Sequence, residues 1–96
     1  MSIILLSETR RELKDSIEYY ETLNPNLAMR FLHSIAACLD LAGESPLRFP
    51  LIDENVRRVL APIFPYATLY SIENGRIIVL AVMHCARKPG YWKSRQ

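Results

Sequence analysis

The sequence is poor in the residues that define several classes of protein. Its 96 residues include two cysteines, two histidines and three glycines. Two cysteines give no disulfide framework, and with two histidines far apart in the chain they make a poor metal site. No apolar run approaches the ~18 residues that a membrane span needs, and the first residues lack the basic start of a secretory signal. We therefore expect a cytoplasmic protein with reduced thiols, no metal and no cofactor, away from the membrane.

The composition is that of one globular domain over residues 1–96. Half of the residues are hydrophobic, which is too many for a disordered chain. The net charge of +2 conceals an asymmetry. Residues 1–45 carry four cations and seven carboxylates, whereas residues 46–96 carry eight cations and three carboxylates. The second half could face nucleic acid or an acidic partner, or it could be a solvated edge of a sheet.

The first half of the chain predicts a strand followed by a helix. Residues 3–6 are a short apolar run, which suits a first strand. Apolar residues then recur at helical spacing over residues 9–23. Thr9 and Glu12 have the spacing of a capping box, in which each side chain caps the backbone at the start of its own helix.

A second helix follows directly. Asn24 is a good N-cap, and Pro25 suits the first helical position. A broad apolar stripe continues to residue 42, and Gly43 is a typical C-terminal signal. Because the connection is so short, the two helices should form an antiparallel hairpin.

The second half of the chain predicts a meander of strands. Residues 44–55 contain two prolines and are predicted to be a loop. Asn74-Gly75 is the strongest short hairpin signal, a turn that needs positive φ at both positions. Seven unbroken apolar residues after it predict a central strand buried on both faces. The three strands are expected over residues 56–61, 66–72 and 77–83.

These elements give the order β-α-α-β-β-β and an α+β fold. The helical hairpin should cover one face of the small antiparallel sheet, because nothing else can bury that apolar surface. Two helices cannot cover both faces. We therefore expect an exposed apolar groove that binds a partner segment as a helix, an added strand or both.

Several motifs resemble the RelE/ParE family of bacterial toxins in their order and spacing. They are Tyr19-Tyr20, Leu27-Ala28-Met29-Arg30-Phe31, Val56-Arg57-Arg58, Phe64-Pro65-Tyr66, and Leu80-Ala81-Val82-Met83-His84 followed by Arg87-Lys88-Pro89-Gly90-Tyr91-Trp92. The resemblance covers nearly the whole chain. It implies the toxin of a type II toxin-antitoxin system, which a cognate antitoxin neutralises in a hetero-oligomer.

The family divides on mechanism, and its common scaffold does not decide between the branches. RelE-like members cut messenger RNA on the ribosome, and ParE-like members poison DNA gyrase. Metal-free RNA cleavage needs a cation for the phosphate and groups that move protons. The candidates here are Arg58, His84, Arg87 and Tyr91. Arg57 and Arg58 alternate in direction, so only one of them can reach a given site.

The same residues also have structural interpretations. His84 could bond a nearby backbone group, and Tyr91 and Trp92 could close the core. The modest charge and the acidic helical half favour the gyrase branch, because a ribosomal toxin must neutralise many phosphates. Ribonuclease activity is the alternative, and a different or lost activity is the third. In the gyrase interpretation, the residues that bind the target lie in the basic tail: Arg87, Lys88, Tyr91, Trp92, Lys93 and Arg95.

Overall fold

The computed structural model describes all 96 residues as two helices packed on a five-stranded sheet. Strand β1 (Ser2–Leu5) leads into α1 (Ser7–Leu23) and α2 (Pro25–Glu44). Four strands follow, namely β2 (Leu51–Asp53), β3 (Val56–Leu60), β4 (Tyr66–Glu73) and β5 (Arg76–His84). The sheet order is β1-β5-β4-β3-β2, so the apolar run of β5 lies inside the sheet. The expected α+β arrangement is confirmed, with one additional strand. The sheet is mixed and not wholly antiparallel as predicted, because β1 pairs parallel with β5. Neither helix is long and apolar enough to cross a membrane.

The additional strand corrects the prediction that residues 44–55 are entirely loop. Leu51 pairs with Arg57 of β3, and Asp53 pairs with Val56. Three residues are too few to show the alternation that identifies a strand in a sequence. Pro50 is tolerated beside β2 because this strand lies at the edge of the sheet.

The start of α1 differs from the predicted capping box. The helix begins at Ser7, and Leu6 is its N-cap without any side-chain bond. The buried Thr9 hydroxyl donates instead to the carbonyl oxygen of Val79 at 2.8 Å. The Glu12 carboxylate accepts hydrogen bonds from β5 and from the end of the chain. Thr9 and Glu12 thus bond buried groups that are distant in sequence, and they do not cap the start of their own helix.

The boundaries of α2 are partly as predicted. The side chain of Asn24 accepts a bond from the Asn26 amide at 2.8 Å, which confirms the N-cap. Gly43 lies inside the helix, and Ser45 is the C-cap. A Cβ at Gly43 would lie 3.2 Å from the Ile3 side chain, so this glycine allows α2 to approach β1. The helix ends where Pro46 disfavours helical geometry at the preceding residue.

The hairpin between β4 and β5 is confirmed. Asn74 and Gly75 have φ values of 53° and 72°, as the predicted turn requires. Farther along, Leu69 pairs with Ala81 but Tyr70 pairs with Val79, so the register shifts at this point. Leu80 is therefore an extra residue in β5, and it forms a bulge. A bulge changes the face of the sheet on which the following side chains lie.

The two faces of the sheet carry separate apolar clusters. The helix side of the sheet is the face under α1 and α2, where thirteen buried residues include Phe31, Tyr70 and Val79. The opposite face is the tail side. It is covered by the tail, residues 86–96, whose Trp92 is only 4% exposed. Trp92 packs there with five other buried residues: Val56, Ala67, Leu69, Leu80 and Ala81.

Candidate functional site

The site lies where β5 extends beyond its neighbour β1. β1 runs parallel to β5 and pairs only with residues 76–79. Residues 80–84 of β5 therefore have one edge without a strand. Buried backbone groups need hydrogen-bond partners, and side chains provide them here. The Val82 amide donates to Oε1 of Glu12 at 3.2 Å, and Nη1 of Arg95 donates to the carbonyl oxygen of Leu80 at 3.1 Å.

Glu12 joins this strand edge to the tail. Its carboxylate also accepts from the Tyr91 hydroxyl and from Nη1 and Nη2 of Arg95 at 2.8 and 3.1 Å. The side chains of Arg95 and Glu12 are 14% and 13% exposed, so this pair is largely shielded from water. The hydrogen bond to Glu12 raises the pKa of the Arg95 guanidinium. This role of Glu12 was missed in the sequence because its partners are 70 to 83 residues away.

Tyr91 is fixed within the tail by this arrangement. Two guanidinium groups lie over its ring. The guanidinium carbon of Arg87 is 3.9 Å from the ring centroid, and that of Arg95 is 5.0 Å from it. Burial, together with the hydrogen bond to Glu12, raises the pKa of the Tyr91 phenol far above its usual value. The phenol, which any tyrosine keeps neutral at physiological pH, is thus still harder to deprotonate, and it donates a hydrogen bond to the Glu12 carboxylate. Such a group is poorly suited to accept a proton.

His84 lies at the end of β5 on the helix side. Its Nδ1 accepts from the Ala86 amide at 3.0 Å, which places the proton of the neutral ring on Nε2. The ring also contacts Tyr66 edge to face, with centroids 5.3 Å apart. A polar cleft of about 140 Å³ opens beside it, and its walls include Glu12, Asp15 and Arg87. The backbone bond expected from the structural interpretation is present, but Nε2 has no partner in the protein.

Arg58 is not brought to this cleft. It pairs with Leu69, which pairs with Ala81, and both partners belong to the tail-side cluster. His84 pairs instead with Tyr66, which belongs to the helix-side cluster. The structure therefore brings together His84, Arg87 and Tyr91, whereas Arg58 lies on the tail side of the sheet and does not line the cleft beside His84.

The neighbouring Arg57 points to the helix side and has a structural role. Its Nη1 donates to the carbonyl oxygen of Phe49 at 2.7 Å and to that of Leu47 at 3.3 Å. These bonds attach the loop before β2 to the sheet. The expectation that only one of the two arginines reaches a given side is met, and neither lies at the His84 cleft.

The six candidate target-binding residues fall into two groups. Arg87, Lys88 and Lys93 are exposed, although Lys93 has Asp53 at 3.8 Å. Trp92 is buried, and Tyr91 and Arg95 are half-buried and bonded to Glu12. The docked tail therefore offers cations to a partner, and its aromatic side chains face the protein. No three His, Cys, Asp or Glu side chains converge at metal-binding distance.

An apolar groove runs along the outer side of α1. Its first part, of about 440 Å³, is lined by Leu5, Leu13 and Ile17, with charged side chains on its rim. Ile17 also lines a second part of about 290 Å³ between the helices, where Met29 is 55% exposed. The outer edge of β1 has no strand beside it. The structure thus has an exposed groove, but it lies along α1 and not on the second face of the sheet, which the tail covers. The expectation of an uncovered sheet face is therefore wrong.

Comparison with known proteins decides the family. The sequence model described as "ParE toxin of type II toxin-antitoxin system, parDE" matches residues 3–89. The chain belongs to the ParE toxin family. Comparison with curated proteins gives no match. Among solved structures, the ParE-family fold of this chain is similar to the "Chromosomal ParDE TA system from P. aeruginosa", with a TM-score of 0.77 and 16% sequence identity. The similarity covers 88% of this chain and 95% of that chain.

Proposed function

We propose that this ParE-family toxin arrests growth by inhibiting DNA gyrase through a binding surface and without chemistry of its own. The observation that carries the proposal is the state of Tyr91. Its phenol is hydrogen-bonded to Glu12, and its raised pKa keeps it protonated. A proton-transfer group works best with a pKa near the operating pH. Arg58, the other cation proposed for phosphate stabilisation, does not line the cleft beside His84.

In this proposal the target-binding surface is the exposed part of the tail. Arg87, Lys88 and Lys93 project from it, while Trp92 and Arg95 hold it against the sheet. Arginine is well suited to a planar, bidentate contact with a carboxylate or phosphate. The proposed role of Tyr91 and Trp92 is to support this surface from within.

RelE-like cleavage of messenger RNA is the second candidate. One observation favours it, since His84 and Arg87 line the same polar cleft and Nε2 of His84 is unpartnered. Imidazole is the side chain most often used for acid-base catalysis near neutral pH, and Arg87 could hold a phosphate. In this alternative, His84 and Arg87 would have to cleave RNA without Arg58, and Tyr91 could not act as a base.

The two activities can be compared side by side. Purified protein is added to gyrase with supercoiled plasmid, and in parallel to translating ribosomes with a defined messenger. We expect gyrase-dependent accumulation of cleaved DNA and an intact messenger. Cleavage of the messenger with no effect on gyrase would overturn the proposal and support the ribonuclease alternative.

We further propose that an antitoxin encoded beside the toxin neutralises it in the cytoplasm by occupying the groove of α1. The groove combines Leu13 and Ile17 with rim charges of both signs, Arg10, Lys14, Glu18 and Glu21. An amphipathic helix or an added strand beside β1 would fit such a surface. The neighbouring gene product should co-purify with the toxin, and Ile17→Asp should prevent this. High expression of the toxin alone without harm, and no binding to the neighbouring product, would contradict this proposal.

A further inference from the structure

Glu12 is placed unlike any other carboxylate of α1. All four hydrogen bonds of its carboxylate come from the edge of β5 or from the tail, and none from its own helix. The side chain is only 13% exposed. Glu8, one turn earlier, is exposed and bonds only Ser7. Because the donors belong to β5 and to the tail, the buried carboxylate of Glu12 fixes the position of the tail against β5.

The contacts of Glu12 extend to Arg87 in two steps. Glu12 holds the Tyr91 hydroxyl and the Arg95 guanidinium, and the Tyr91 ring contacts the guanidinium groups of both Arg95 and Arg87. The Arg87 amide also donates to the carbonyl oxygen of His84 at 2.9 Å. An exposed arginine ordinarily samples many rotamers, and ordering it on binding lowers affinity. Stacked on a fixed ring, Arg87 is already ordered.

We propose that Glu12 is a positioning residue of the toxin, which docks the tail on the sheet and thereby presents Arg87 to the target. The inference rests on the proposed function, because it takes Arg87 as a target contact. It assigns a role in toxicity to a helix residue that lies behind the tail. Glu12 itself acts only through Tyr91 and Arg95.

The direct test is Glu12→Gln, with Glu8→Gln as the matched control on the same helix. Removing one charge from a buried pair leaves the other uncompensated, which should raise the equilibrium constant for tail opening by about 100-fold or more. Trp92 is the only tryptophan, so its fluorescence reports the tail alone. We expect Glu12→Gln to shift Trp92 emission to the red, increase its quenching by acrylamide and weaken growth arrest. Glu8→Gln removes only an exposed charge near Arg95 and should change each of these far less.

Hydrogen exchange separates positioning from a general loss of stability. In Glu12→Gln, the amides of Lys93 and Arg95 should exchange faster, while sheet amides such as that of Tyr70 keep their protection. If every amide accelerates together, Glu12 is merely structural and the inference is wrong. It is also wrong if Glu12→Gln arrests growth as strongly as the unaltered toxin.

A third variant distinguishes failure of the inference from failure of the proposed function. Arg87→Ala leaves Glu12, Tyr91 and Arg95 in place, so Trp92 emission should stay unchanged while growth arrest weakens. If Arg87→Ala remains fully toxic, the assignment of Arg87 as a target contact fails, and with it this part of the proposed function. If Arg87→Ala is weakened but Glu12→Gln is not, only the role of Glu12 is refuted.

Discussion

On the helix side of the sheet, α1 and α2 bury thirteen core residues, and interlocking aromatic rings fill its centre. Phe31 packs against Tyr20, Phe64 and Tyr66 with ring centroids 4.7 to 5.3 Å apart. On the tail side, eleven residues of tail cover a cluster of six. Trp92 is the only residue of the tail that is fully buried there.

The helices and the tail, which cover the two faces of the sheet, are held in place by different forces. Apolar burial dominates the helix side. The tail is held by one buried tryptophan, by the hydrogen bonds of Glu12 and Arg95, and by the pair of Lys93 with Asp53. Elements with few buried apolar contacts open at lower free energy than the core. The proposed target-binding surface therefore belongs to the less stable cover, while the helices supply a rigid base. Substitutions and pH can test this difference, from the largest expected effect to the smallest.

Phe31→Ala should cause the largest loss of stability. Phe31 is fully buried at the centre of the helix side, and such a truncation typically costs about 3–5 kcal/mol. Since small domains have only about 5–15 kcal/mol of unfolding free energy, much of the stability should be lost. Urea unfolding followed by circular dichroism measures the change. Met29→Ala, at a residue 55% exposed, is the control and should change stability by about 0.5 kcal/mol. Similar effects for both would contradict the assignment of the core.

Trp92→Ala should release the tail and leave most of the domain folded. Its effect on the urea midpoint should be smaller than that of Phe31→Ala, because the loss is limited to the free energy of docking the tail. Hydrogen exchange should be faster in the tail and little changed at Phe31. Trp92→Phe keeps an aromatic ring in the cluster and serves as the control. An equal loss of protection on both sides of the sheet would show that the two covers unfold as one unit.

Alkaline pH should lower stability through three tyrosines and the buried thiol of Cys38, whose pKa burial also raises. Burial raises the pKa of Tyr20, Tyr70 and Tyr91 in the folded protein. Their stabilising contribution is complete below the unfolded pKa of about 10 and is lost as pH rises from there through the folded pKa. The urea midpoint should be constant below about pH 8, begin to fall as Cys38 contributes, and fall more steeply above about pH 10. Tyr91→Phe should make this fall in the urea midpoint smaller. If the variant has the same pH profile as the unaltered protein, the raised pKa of Tyr91 is contradicted.

Ile63→Gly should have a small effect, in the stabilising direction. Ile63 is 83% exposed and has a φ of 73°, in a turn closed by the Phe64 amide and the Pro62 carbonyl at 2.8 Å. This conformation strains a β-branched residue by about 1–3 kcal/mol, and the entropy of glycine offsets about 0.5–1 kcal/mol of the relief. Thermal melting measures the difference. Leu47→Gly, at an exposed residue without positive φ, should lower the melting temperature. If Ile63→Gly lowers the melting temperature by a similar amount, the backbone at Ile63 is not strained.

The parts of the fold that could be predicted are those set by neighbouring residues. Asn74-Gly75 specifies its own turn, and Asn24-Pro25 specifies the start of α2. The long apolar run identified β5 as a central strand because burial on both faces leaves no alternation. Strand β2 escaped prediction because three residues carry too little pattern.

The candidate site was less predictable because its contacts span most of the chain. Thr9 and Glu12 match a local cap in the sequence, and only the packing of α1 on β5 shows that they serve the strand edge. The sequence placed His84, Arg87 and Tyr91 together correctly, since they lie within eight residues. It could not show that Arg58 and His84 lie on different faces of the sheet, because that depends on the register across β3, β4 and β5.

The most direct test of action by binding alone is growth arrest by the double variant His84→Gln, Tyr91→Phe. If the toxin acts by binding, removing both proton-transfer candidates should leave arrest nearly intact. The phenyl ring introduced by Tyr91→Phe would still support Arg87, and Arg95 would still pair with Glu12. A ribonuclease using either group would lose about 100- to 10,000-fold in rate. We expect the double variant to stay folded, with a melting temperature lowered only slightly by the loss of the Tyr91 bond to Glu12, and still to arrest growth. A variant that is well folded and does not arrest growth would contradict action by binding alone.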